Sequence, residues 1–362
     1  MDIPASPHSP EIFIRCDGSP QLGLGHVVRC LALACELRDT YGMHPGFAMM
    51  DKGVAETLVA REQFPVFIKP EAFEEIQWID SLLNEHRPKG LILDIRTQLP
   101  ATELYRWRDA GITVAVIDDP GDRRQAADLA FYPPVPQMAK ADWSRFTGRA
   151  FIGWDYLLLR REFSVKRTQP HNPVPSILVT MGGSDPGGLT LLALKALCDV
   201  TEPFRARVVL GRAFLHDQAL EELRPGLPDK FEFLRDVSDM PALMADSDLA
   251  VAAFGGTAYE LAALNIPAVL LGLTEDHATS ARALDDAGMS ISLGDYRQVP
   301  ETRLAEAVTE LLATPSLRQT MRNACTIVDG KGAQRIAGRI NNAMAHAMHR
   351  NAAPETTMQE KP

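Results

Sequence analysis

Short apolar runs alternate with amphipathic stretches along almost the whole chain, and after a proline-rich interruption the alternation starts afresh. That rhythm marks strands buried on both faces of a parallel sheet and joined by covering helices. In the first half the runs are Ile12 to Ile14, Pro45 to Met49, Val66 to Ile68, Leu91 to Leu93, Val114 to Ile117 and Leu129 to Phe131. Thr168-Gln-Pro-His-Asn-Pro-Val-Pro175 breaks the pattern, and Ser176 to Thr180 opens a second series. It continues with Ala206 to Leu210, Phe231 to Leu234, Leu249 to Ala252, Ala268 to Leu271 and Met289 to Ile291. At 362 residues and 46% hydrophobic content the chain exceeds what one core usually organises, so two α/β domains are expected, 1–167 and 168–350, with parallel sheets facing across a cleft. The polar, proline-bearing residues 351–362 read as a disordered tail.

Composition removes several function classes. A net charge of −10 argues against broad nucleic-acid binding, which needs a basic face. Cys16, Cys30, Cys35, Cys198 and Cys325 are odd in number and lack the close paired spacing of a zinc site, which fits reduced thiols. Met1 to Pro10 carry no basic-then-apolar signal, and no apolar run approaches membrane-spanning length. The expectation is a soluble cytoplasmic protein needing no cofactor, metal or nucleic acid and not inserted in a membrane; nothing in the sequence specifies an oligomeric state.

Three glycine-bearing turns lie where a strand gives way to a helix. In the first, Gly23-Leu-Gly25-His26-Val-Val-Arg29, helical spacing resumes with Val27, Val28, Leu31 and Leu37, so His26 sits at a helix start. Such a start offers unpaired backbone donors and partial positive charge to a diphosphate. The same field favours a neutral imidazole able to accept a proton. The second turn, Met181 to Gly188, is either a phosphate cradle through Gly182 and Gly183 or a tight turn. In the third, Gly255-Gly256-Thr257 ends a buried strand, and Glu260 follows one helical turn later. Thr257 can offer a hydroxyl and an N–H to a phosphate oxygen, while the Glu260 carboxylate can accept from two ribose hydroxyls or simply complement the helix dipole. Asp118-Asp119 reads as a turn and helix start rather than a metal pair.

Four segments together resemble the UDP-2,4-diacetamido-2,4,6-trideoxy-β-L-altropyranose hydrolases of pseudaminic acid biosynthesis, relatives of the two-domain GT-B glycosyltransferases. They are Arg15-Cys-Asp17 with Gly23 to Arg29; Gly153-Trp-Asp-Tyr156 through Phe163; Met181 to Asp185; and Gly255 to Glu260 with Ile266-Pro267-Ala268. The resemblance spans roughly Ile12 to Gly330. It implies that His26 is the general base, that Asp17 orients it or the sugar, and that Arg29 touches an anion. Gly255, Gly256, Thr257 and Glu260 would hold UDP, with Gly23, Gly25, Gly182 and Gly183 facing the cleft. Asp94 and the pair Asp276-His277 fall at positions that face substrate, and depart from the family's Asp-His-Tyr and Asn-Gln. Spore-coat polysaccharide proteins are closer at Asp94-Ile95-Arg96. His277 is open to two readings, a sugar contact or a cap of the helix containing Thr279 to Ala287.

UDP departs readily because its charge is spread over two phosphates, so a single base is enough and no second carboxylic acid is required. The expected reaction is attack of water on the anomeric carbon with inversion and release of UDP and a free sugar. Transfer of the sugar to an acceptor hydroxyl is the alternative, and non-catalytic binding of a nucleotide sugar within a polysaccharide assembly is a third.

Overall fold

The structure, a computed structural model, describes residues 9–19, 23–165 and 173–352, with side chains described as far as residue 347. Two parallel α/β lobes form, as the alternating pattern predicts. The first carries β1 (Ile12–Cys16), β2 (Pro45–Met49), β3 (Val66–Ile68), β4 (Gly90–Asp94), β5 (Thr113–Ile117), β6 (Leu129–Tyr132) and β7 (Arg149–Ile152), in the order β3-β2-β1-β4-β5-β6-β7. The second carries β8 (Ser176–Thr180), β9 (Arg205–Leu210), β10 (Phe231–Arg235), β11 (Leu249–Ala253), β12 (Ala268–Gly272) and β13 (Ser290–Asp295), ordered β10-β9-β8-β11-β12-β13. β7 is the strand the sequence did not announce: a half-exposed edge run, Arg-Ala-Phe-Ile, with too little apolar signal to stand out.

The helices of the first lobe are α1 (Gly25–Tyr41), α2 (Val54–Arg61), α3 (Glu75–His86) and α4 (Ala101–Asp109). Those that follow are α5 (Leu189–Cys198), α6 (Asp217–Leu223), α7 (Met240–Ala245), α8 (Gly256–Ala263), α9 (Glu275–Asp286), α10 (Glu301–Ala313), α11 (Pro315–Ala324) and α12 (Gly332–Ala352). Alternate strand residues point to opposite faces, and both faces are covered. In the first lobe Ile14, Ile92 and Ala115 pack under α1, whereas Phe13, Leu91, Leu93 and Val116 pack against Trp78, Leu82 and Trp107 of α3 and α4. This double burial is why the strands read as unbroken apolar runs. No helix among the described residues is long and apolar enough to cross a membrane.

A division at residue 168 assigns 332–350 to the second lobe, but α12 returns to the first. Its apolar stripe, Ile336, Ala337, Ile340 and Met344, joins the core beneath α1, so the helix completes the lobe where the chain began. The pieces of the linker Thr168 to Pro175 up to residue 172 and the tail from 353 to 362 lie outside the described residues.

The connection between lobes is built around Leu157 to Phe163. Leu157, Leu159 and Phe163 are buried in the second lobe's core, while Tyr156 and Leu158 pack against the first. Arg161 extends this staple, its Nε donating to Glu36 of α1 at 2.9 Å. The start of α12 is pressed against the same segment: a side chain at Gly332 would place Cβ 2.0 Å from the Leu157 carbonyl oxygen. A Gly332→Ala variant should therefore lose about 1–3 kcal/mol of stability. The expected readout is a lower urea midpoint at unchanged slope; a wild-type midpoint would show that the contact gives way freely.

Candidate active site

His26 is the second residue of α1, which begins just beyond the carboxyl end of β1. β1 lies between β2 and β4, so the chain leaves it in one direction and its other neighbour arrives later, from across the reversal in strand order. Ligands of open parallel sheets bind outside the strand ends at such a reversal. The register pairs Cys16 with Asp94, which places the last residue of β4 beside the turn that carries His26.

Asp94 is the organising group. Its side chain is fully buried, and Oδ1 lies 2.7 Å from His26 Nδ1. Arg29, one helical turn after His26, donates to the same carboxylate through Nε to Oδ2 and Nη2 to Oδ1, both at 2.6 Å, and the Cys30 thiol points at Oδ2 at 3.4 Å. Burial alone would raise the Asp94 carboxyl, but the Arg29 guanidinium, helped by His26, outweighs it and holds the group well below the usual carboxylate range. An ionised carboxylate only accepts, so the hydrogen bond fixes the proton of the neutral ring on Nδ1 and leaves the lone pair on Nε2. The 3.1 Å approach of Arg29 Nη2 to Nδ1 is then a packing contact between two donors that share Asp94.

The charge network continues outward. Arg29 Nη1 and Arg96 Nη2 each donate to Asp118 Oδ2 at 3.1 Å, and Arg96 Nη1 donates to the Asp118 carbonyl at 2.6 Å. Asp118 itself is held at φ 50° at the end of β5, and its neighbour Asp119 is taken by Arg123 Nε at 2.6 Å. On the far side, Asp17 accepts from the Met50 backbone at 2.8 Å and pairs with the buried Arg15 at 2.7 Å, while Arg15 Nε donates to Glu75 at 2.9 Å. Asp17, His26, Asp94, Ile95, Arg96 and Thr97 enclose a pocket of about 190 Å³, smaller than the ~300 Å³ at which pockets for whole drug-sized ligands begin.

Several expected roles change places. The orienting carboxylate is Asp94, set among the substrate-facing residues by the sequence, whereas Asp17 lines the pocket without a bond to His26. Arg29, expected as an anion contact, spends its donors on Asp94 and Asp118. Gly23, at φ 76°, turns the chain towards α1, and Gly25 opens the helix, whose start carries no side-chain cap; Pro20 to Leu22 lie outside the described residues.

In the second lobe the turn at Met181 to Gly188 is occupied by its own side chain. Asp185 accepts from the Leu189 and Thr190 backbone at 2.8 Å each, filling the start of α5 where a phosphate would otherwise sit. Gly182 and Gly183 instead press their carbonyls against Gly211 of the next strand's exit, where a Cβ would come within 2.2 Å of Gly183 O. The third turn differs: Gly255 and Gly256 lead into α8 with no side-chain cap, so the donors of Gly256 and Thr257 stay available to a ligand. Burial pushes the Glu260 carboxyl up, and Arg160, 3.7 Å away, offsets this only in part.

α9 faces the first lobe. Thr274, not His277, caps it, accepting from the His277 backbone at 3.1 Å, so the helix begins earlier than the sequence indicated. Asp276 accepts from Gln137 of the first lobe at 2.9 Å, and Gln137 also reaches Ser280 at 2.8 Å. The His277 ring is driven down by burial, with Asp276, Arg96 and Asp118 as the charges acting on it, so it looks across at the Arg96–Asp118 pair. That pair was missed in the sequence; its signal was an acidic residue ending each of two successive central strands, Asp94 and Asp118.

No family model matches the chain. It is 27% identical over 335 residues to the spore coat polysaccharide biosynthesis protein SpsG of Bacillus subtilis, covering 90% of this chain and 96% of that protein. Among solved structures it is similar to Acinetobacter baumannii MurG, with a TM-score of 0.66 at 16% identity over 92% of this chain and 100% of that one. Staphylococcus aureus MnaA bound to UDP gives a TM-score of 0.65 at 14% identity, covering 93% and 97%. The two lobes therefore have the GT-B fold.

Proposed function

We propose, from the GT-B architecture as premise, that this protein is a nucleotide-sugar enzyme of polysaccharide biosynthesis in which His26 is the base and water the attacking group. The observation that carries the reading is the Asp94 hydrogen bond to His26 Nδ1, which turns the Nε2 lone pair into the reactive atom beside a pocket at the sheet's switch point. The likeness to SpsG supports the polysaccharide setting, and the likeness to a UDP-bound structure supports UDP as the carrier.

In the proposed step the water oxygen bonds to the anomeric carbon, its proton passes to His26 Nε2, and the bond from that carbon to the UDP oxygen breaks. Attack from the face opposite UDP inverts the centre. The open donors of Gly256 and Thr257 at the start of α8 stabilise the diphosphate as it gains charge. The product is UDP and a free sugar, read here as a 2,4-diacetamido-2,4,6-trideoxy hexose on the way to a nonulosonic acid. The test is incubation with a panel of UDP- and CMP-linked sugars in chelator, followed by anomeric NMR. Release of free sugar from a UDP-linked trideoxy donor supports the reading; turnover only after an acceptor is added would assign the protein to transfer.

Glu260 gives a second check. If its carboxylate accepts from the ribose hydroxyls, Glu260→Gln loses charge-assisted bonds of about 1.5–3 kcal/mol, or ~10–100-fold in UDP affinity by calorimetry. Unchanged affinity would leave Glu260 as a partner of Arg160 alone.

A further inference from the structure

Tyr259 lies on the first turn of α8, two residues beyond Thr257, and its ring is almost entirely buried, with 9% exposure. It packs edge-on against Phe254 at 5.7 Å, and Phe254 in turn meets the His277 ring at 5.9 Å. The Tyr259 hydroxyl is cut off from solvent and has no hydrogen-bond partner among the described residues. Such a group carries its full desolvation penalty with nothing in return, and native interiors hold few of them. Phenylalanine would make the same contacts with Phe254 without that cost.

Two observations place the hydroxyl at the catalytic cleft. Burial pushes the phenol up, and the charges that act on it are Asp118 and Arg29, the ion pair that supports His26 from the first lobe. On the other side of Phe254, His277 Nδ1 is also buried and without a partner among the described residues, and Asp118 acts on that ring as well. Two unsatisfied polar atoms of the second lobe thus converge on one first-lobe ion pair. The Arg29 and Arg96 charges there are already matched by Asp94 and Asp118. An added anion would meet the Asp118 carboxylate unpaired, so the missing partner is a neutral polar group.

We propose that Tyr259 is a specificity residue for the glycosyl group of the donor, its hydroxyl bonding a hydroxyl or acylamino substituent that bridges the space between Phe254 and the Asp118–Arg29 pair. The proposal rests on the nucleotide-sugar reading above. With the sugar in place, the Tyr259 and His277 atoms are satisfied by the ligand, and the diphosphate stays on the α8 backbone, out of the phenol's reach.

The test is Tyr259→Phe, which keeps the ring and its contacts. The expected result is a fall of about tenfold in kcat/KM for the UDP-sugar that the wild type turns over. UDP affinity should stay within twofold by calorimetry, and the thermal midpoint should be unchanged or higher, because an unpaired hydroxyl is removed. A variant with wild-type kcat/KM overturns the contact while leaving the nucleotide-sugar reading intact. An equal loss of UDP and UDP-sugar affinity, or a lowered midpoint, makes the residue structural and overturns it too. A wild type that neither binds UDP nor turns over any UDP-sugar removes the underlying reading and the proposal with it.

Discussion

Asp94→Asn is expected to lower turnover ~10³–10⁴-fold, the scale seen when an orienting aspartate behind a catalytic histidine becomes an amide. The reason is the hydrogen-bond inventory. Arg29 donates to both Asp94 oxygens, so an asparagine that keeps its carbonyl towards the guanidinium turns its NH₂ towards His26 Nδ1. An NH₂ group donates, which forces Nδ1 to accept and moves the ring proton to Nε2, where the base is needed. Nitrogen-15 NMR of the labelled ring reads the tautomer directly: protonated Nδ1 in the wild type, protonated Nε2 in the variant. Wild-type turnover together with an unchanged tautomer would separate Asp94 from the chemistry.

The same change removes a buried carboxylate from beneath a cation. Breaking a buried pair from one side costs about 3–5 kcal/mol, and the lower end applies because Asp118 keeps hold of Arg29. The sign of the pH dependence follows from the depressed carboxyl. Since the folded protein holds Asp94 below its unfolded value of about 4, the stability it contributes is fully present above that pH and is lost as pH falls through the folded value. Asp94→Asn should therefore flatten the acid limb of a stability curve, lowering the wild-type advantage at neutral pH and bringing the two proteins together in acid.

His26→Ala is the second large effect, a fall of ~10²–10⁴-fold in kcat with UDP affinity retained. Retention is expected because the nucleotide rests on α8 and Glu260, in the other lobe. Stability should change little: the imidazole is 16% exposed and Asp94 keeps its Arg29 bonds. Calorimetry with UDP and single-turnover kinetics separate the two quantities. Equal losses in binding and turnover would place the imidazole on the nucleotide instead of the reacting carbon.

How far the sequence reaches is visible in individual residues. Strands β2, β3 and β8 fall where the apolar runs begin and end, because burial on both faces makes a strand legible without partners. β7 escapes because an edge strand carries half that signal. His26 is legible as the residue after a glycine turn, a local fact. Asp94 as its partner is not, because the two are 68 residues apart and meet only through the β1–β4 register. Asp185 shows the converse: a glycine-rich turn suggests a phosphate cradle until its own aspartate is found on the helix start. The return of α12 to the first lobe is likewise a matter of which exposed stripe remained to be covered, which a linear reading assigns to the nearer lobe.

The account stands on a neutral His26 delivering water to an anomeric carbon, and isotope transfer from the solvent tests that step alone. Turnover of the UDP-linked sugar in ¹⁸O-water, without acceptor and in chelator, should place the label on the anomeric oxygen of a free sugar whose configuration is inverted, with unlabelled UDP. Label in the UDP phosphate, or retention at the anomeric carbon, would contradict it.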